Sequence, residues 1–76
     1  MNKKECVIKS AYVRKDVDGS ILSYVVSVQD VNAKSDYTYR FDFWKASFEK
    51  TFWKNESNLN TLVGSKCYLV ESLSLN

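Results

Sequence analysis

The chain is expected to form one mainly β domain, a small and partly open barrel of five strands with one short helix between the third and fourth. Three observations point there. The first 44 residues hold three segments rich in β-branched and aromatic residues, and apolar and polar side chains alternate along the second and third. Clusters of Asp, Gly, Ser and Asn separate those segments. A helical spacing of apolar residues emerges only after Trp44.

The first strand is expected over residues 6–15, a mixed apolar and basic run. Asp16-Val17-Asp18-Gly19-Ser20 follows, and Asp-Gly between two strand-like runs signals a hairpin, because glycine takes positive φ without a Cβ clash. In residues 21–31, Leu22, Tyr24, Val26 and Val28 fall on one face, and Ser23, Val25, Ser27 and Gln29 on the other. A second turn over residues 32–36 leads into the clearest strand. There Tyr37, Tyr39, Phe41 and Phe43 share one face, and Thr38, Arg40, Asp42 and Trp44 the opposite one.

Trp44, Phe48 and Phe52 then recur every four residues, a helical period in a short, β-prone piece. The helix itself is expected over residues 56–63. Asn55 is its N-cap, Glu56 sits at the positive end of the dipole, and Leu59, Leu62 and Val63 form its apolar stripe. Gly64 ends it. Residues 66–75 return to strand character, as one long bent strand or two short ones.

Length and composition narrow the function. Seventy-six residues suffice for one core, and the absence of repeats and linkers makes residues 1–76 a single domain. There is no histidine and there are only two cysteines, which removes His-based acid–base catalysis, His-ligated metals and Cys/His zinc modules. No nucleophile elbow or Gly-rich phosphate loop occurs. Asp16, Asp18 and Asp30 lack the spacing of a calcium loop and read as turn residues. Enzymatic activity, a cofactor and a bound metal are therefore not expected. No apolar run is long enough to span a membrane, and no apolar stretch follows the basic N-terminus, so the expected setting is cytoplasmic.

The stretch Tyr39-Arg40-Phe41-Asp42-Phe43-Trp44, a helical connection, and then Leu62-Val63-Gly64-Ser65-Lys66-Cys67-Tyr68-Leu69-Val70 resembles the small OB-fold proteins that bind single-stranded nucleic acid. In those domains an aromatic-ended third strand, a helix and a glycine lead into the fourth strand. The resemblance is one of element order over residues 5–75 and includes no diagnostic motif. It implies a Greek-key barrel in which the first and fourth strands are neighbours, bringing Cys6 towards Cys67. The segment after Gly64 is short for two strands, and an SH3-like barrel or an α+β sheet of four strands with one helix fits the same string.

The net charge is only +2, but it is uneven. Residues 1–15 carry five bases and one acid, and residues 37–54 four and two, whereas the acids gather in the turn-bearing segments between and after them. Neighbouring first and third strands would carry a weak basic stripe. Single-stranded nucleic acid needs such cations together with aromatic faces for stacking. Lys9, Tyr12, Arg14, Lys15, Arg40 and Trp44 are the candidate residues for that role. For most of the eleven aromatic residues the plain reading is core. Trp44 and Trp53 do not both fit inside so small a core, so one of them in water is the sharper signal. The alternative function is a protein-interaction module, because exposed Trp, Tyr and Arg also dominate protein interfaces and an open sheet edge invites strand pairing. The Lys- and Asn-rich usage in so small a chain resembles products of bacteriophages and other mobile elements. On that reading the domain inhibits a host protein or forms a small homodimer. The two cysteines are expected to be reduced and buried.

Overall fold

In a computed structural model, which describes residues 3–34 and 36–70, four antiparallel strands form one open sheet. They are β1 (Lys3–Lys15), β2 (Ile21–Asp30), β3 (Thr38–Trp44) and β4 (Lys66–Val70), in the spatial order β3-β2-β1-β4. Between β3 and β4 lie α1 (Lys45–Phe52) and a 3-10 helix (Glu56–Leu62). No helix among the described residues is long and apolar enough to cross a membrane.

The meander follows from the turns. Gly19 has φ +87°, and the backbone bonds Asp16 N to Ser20 O (2.8 Å) and Gly19 N to Asp16 O (2.9 Å) close the first hairpin. Asp18 Oδ1 accepts from Ser20 N and Ser20 Oγ, and these two bonds hold its carboxyl below the ordinary value. At the second turn Asp30 Oδ1 accepts from Asn32 N at 2.9 Å. The acidic turn residues thus serve local backbone donors.

β1 contains a bulge that its own sequence demands. Cys6 and Ile8 face the core at even positions, whereas Ala11 and Val13 pack against it at odd ones. Such a change of parity needs one extra residue, and Lys9 is that residue, because Ile8 pairs with Val28 and Ser10 with Ser27. A second irregularity leaves Leu22 between the pairs Arg14–Ser23 and Lys15–Ile21. Leu22 is consequently exposed and does not join Tyr24, Val26 and Val28 in the core.

Both helical segments lie on one face of the sheet. Tyr24 and Phe48 stack at 4.1 Å between ring centroids, and Phe48 packs on Phe52 at 4.7 Å. Leu59 and Leu62 complete the core over Cys6, Ile8, Tyr24, Val26 and Val28. Tyr24 Oη donates to Glu49 Oε2 at 2.7 Å, fastening α1 to the centre of the sheet. The Asn55 N-cap forms as expected: Ser57 N donates to Asn55 Oδ1, and Asn55 N donates to Asn58 Oδ1. Gly64, at φ +92°, turns the chain into β4 with Gly64 N donating to Ile8 O at 2.8 Å.

Three expectations are corrected. Among the described residues the sheet has four strands and not five, and the remainder of the expected final strand, residues 71–75, lies outside them. The described residues form two helical segments and not one, and Trp44 is the N-cap of α1, outside its apolar stripe. The sheet is open, with β3 and β4 at opposite edges. The reason lies in the connection between those edges, whose Phe48, Phe52, Leu59 and Leu62 cover the inner face that a barrel would close upon. Fully burying side chains of this size is worth about 1.5–3 kcal/mol each. The expected neighbourhood of the first and last strands is found, and Cys6 and Cys67 are direct partners across it.

Candidate nucleic-acid interface

The face of the sheet without helices is built in rows by the strand register. The uppermost row holds Arg14 (β1), Ser23 (β2) and Trp44 (β3), the next Tyr12, Val25 and Asp42, and the third Ser10, Ser27 and Arg40. Strands lie ~4.8 Å apart and successive rows ~7 Å, so Arg14 stands about 10 Å from Trp44 and Arg40 about 13 Å from it. Four of the six candidate residues, Tyr12, Arg14, Arg40 and Trp44, are therefore on one surface. Trp44 is 75% exposed. Val25 is fully buried in the middle row and stands apart from the core cluster.

The remaining two candidates differ. Lys9 is the exposed extra residue of the β1 bulge. Lys15 follows the core-facing parity of Ala11 and Val13, and its Nζ is 2.7 Å from Glu56 Oε2 of the 3-10 helix. That ion pair directs it towards the helical layer and away from the Trp44 face.

At the upper end of this face Arg14, Leu22, Ser23, Asp42, Phe43 and Trp44 line an open cleft of about 470 Å³. Ser23 Oγ is buried there with no hydrogen-bond partner among the described residues, a condition that costs about 1–3 kcal/mol. Asp42 lies between the two arginines, with Oδ2 3.9 Å from Arg14 Nη1 and Oδ1 3.9 Å from Arg40 Nη2. All three side chains are about half exposed, so these long ion pairs are weak and screened by salt. The cluster keeps one uncompensated positive charge beside the indole.

A second group occupies the lower end of the same face. Lys3 Nζ lies 4.9 Å from the centroid of the Tyr68 ring, and Lys66 Nζ is 3.9 Å from Glu5 Oε2. Neither this group nor Leu22 and Asp42 was among the candidate residues. Alternation of Lys66, Tyr68 and Val70 with the inward Cys67 and Leu69 is the signal that locates the lower group. Leu22 became accessible only through the local irregularity. Among the described residues no three Cys, Asp or Glu side chains converge on a point where they could hold a metal ion.

No protein-family model matches the chain, and no match to it was found among curated proteins or solved structures.

Proposed function

We propose that this chain is a small binding domain, without enzymatic activity, that holds single-stranded nucleic acid on the helix-free face of its sheet. The supporting observation is the placement of Trp44 and Tyr12 on the same face as Arg14 and Arg40, with a cleft lined by Arg14 and Trp44 at its upper end. The indole and phenol rings stack on bases and the guanidinium groups contact phosphates. Stacking of this kind is worth about 1–3 kcal/mol per base and tolerates any sequence. The modest net charge and the Asp42 carboxylate make the binding weak and confined to low salt.

Titration of the protein with an oligothymidylate tests the reading. In a Trp53→Phe background, fluorescence of Trp44 is quenched at low salt, and the affinity declines as salt is added. Arg40→Ala weakens binding and flattens the plot of log affinity against log salt by about one unit. Absence of quenching at low salt, or an unchanged slope in Arg40→Ala, refutes the assignment.

A further inference from the structure

We propose that β3 is the seam of a symmetric homodimer, in which two copies of this edge strand pair antiparallel about a twofold axis at Phe41 and join their sheets into one of eight strands. The inference stands on the edge itself and is independent of nucleic-acid binding. Among the described residues β3 is bonded on one side only, to β2. Its ladder with β2 runs without a register break from Ser23–Trp44 to Gln29–Thr38. Exposed edges are usually blunted by proline, lysine, a bulge or extreme shortness. The seven residues of β3, Thr38-Tyr39-Arg40-Phe41-Asp42-Phe43-Trp44, contain no proline, lysine or bulge, and their two charges, Arg40 and Asp42, are of opposite sign. The opposite edge, β4, begins with Lys66.

The occupant is a second copy because the strand is complementary to itself. Antiparallel partners must share a face, so only registers that move in steps of two residues are open. Centring the axis on Phe41 is the one register that pairs all seven residues. It sets Arg40 opposite Asp42 of the other copy, twice, on the helix-free face. It also sets Tyr39 opposite Phe43, and Phe41 opposite itself, on the helix side, where all three rings are only half-buried in the single chain. Moving the axis to residue 40 places two Arg40 side chains in direct opposition. Moving it to residue 42 does the same with two Asp42 carboxylates. Like charges directly opposite are destabilising, so both neighbouring registers are disfavoured and the central one is selected. The contact is isologous and closes after two copies, because each β3 edge is consumed by the other.

Light scattering after size exclusion, from about 5 µM to about 1 mM, reads the outcome. The mass is expected to rise with concentration from the 8.8 kDa of one chain towards twice that value. Asp42→Arg sets guanidinium groups against each other at both charged positions and weakens association at least about tenfold. The double variant Arg40→Asp/Asp42→Arg exchanges the charges and restores it. Circular dichroism confirms that each variant is folded. Independently, Phe41→Cys yields a covalent dimer on oxidation, whereas Thr38→Cys, far from its symmetry mate in this register, does not. A single-chain mass at every concentration overturns the proposal. So does a dimer indifferent to Asp42→Arg, a double variant no better than the single one, or equal cross-linking at the two cysteine positions.

Discussion

Two tryptophans stand in water at the ends of α1, and they are there for different local reasons. Trp44 is the last residue of β3, and its parity turns it to the helix-free face. Trp53 caps the other end of α1 with φ +56°, its N–H donating to Glu49 O at 3.1 Å, and is 85% exposed. A bulky side chain in the left-handed region costs on the order of 1 kcal/mol or more, at a position where glycine is usual. Trp53→Gly should therefore raise the thermal midpoint by roughly 4 °C or more. A fall in the midpoint would show that the indole stabilises the native state through its own contacts. The excess of tryptophan over what the core can hold was legible from composition alone. The left-handed backbone was not, because nothing in Phe52-Trp53-Lys54 marks a residue for positive φ.

At the scale of the element, α1 is held less by its own propensity than by what it touches. Its eight residues include Thr51 and two phenylalanines, and its attachment is the Tyr24–Phe48 stack together with the Tyr24–Glu49 hydrogen bond. Tyr24 Oη, with help from Lys45 at 3.0 Å, holds the Glu49 carboxyl below its ordinary value. On acidification the unfolded chain takes up this proton first. The contribution is therefore complete above an unfolded-chain value near 4.5 and is lost as pH falls through the lowered one. Burial, reinforced by Glu49, pushes the Tyr24 hydroxyl up to about 12, so the unfolded chain also ionises first above pH 10.0. Thermal midpoints should decline on both flanks. Glu49→Gln is expected to flatten the acid flank and Tyr24→Phe the alkaline one, and identical profiles in the variants would disprove the coupling. Elements with a clean period were readable in advance, β3 above all. The helical spacing of Trp44, Phe48 and Phe52 was visible too, yet it does not reveal that Trp44 belongs to the preceding strand's outer face.

For the whole molecule, closure was the property that local patterns could not decide. Three meandering strands and a helical connection suit a barrel as well as an open sheet. The choice depends on whether helices or a further strand occupy the inner face. The pairing of the two ends was implied only by the resemblance in element order: Cys6 and Cys67 are cross-strand partners on the core side, and Cα atoms so placed are ~4.5–5.5 Å apart, within disulfide range. Both thiols are free, and burial pushes both up, Cys67 further through Cys6. Oxidised glutathione at mildly alkaline pH should convert them slowly. The Cys67 thiolate attacks its disulfide and expels one glutathione thiolate. The Cys6 thiolate then attacks Cys67 Sγ in the mixed disulfide and expels the second. The product is two hydrogens lighter than the reduced chain, and a loop of this length constrains the unfolded chain by about 4 kcal/mol. Mass spectrometry and a higher thermal midpoint would establish it. Accumulation of mixed disulfides alone would show that the native backbone keeps the sulfurs apart.

The supernumerary lysine of β1 has a consequence for how this chain can vary in length. Between Cys6 and Lys15, Lys9 is the one position with no opposite number on β2. A deletion there mends the ladder and leaves Tyr12 and Arg14 in water and Ala11 and Val13 inside. Losing any residue from Ala11 to Val13 instead exchanges inside for outside in part of the strand. Natural drift by single-codon loss therefore has a narrow permitted window in β1, at Lys9 and Ser10.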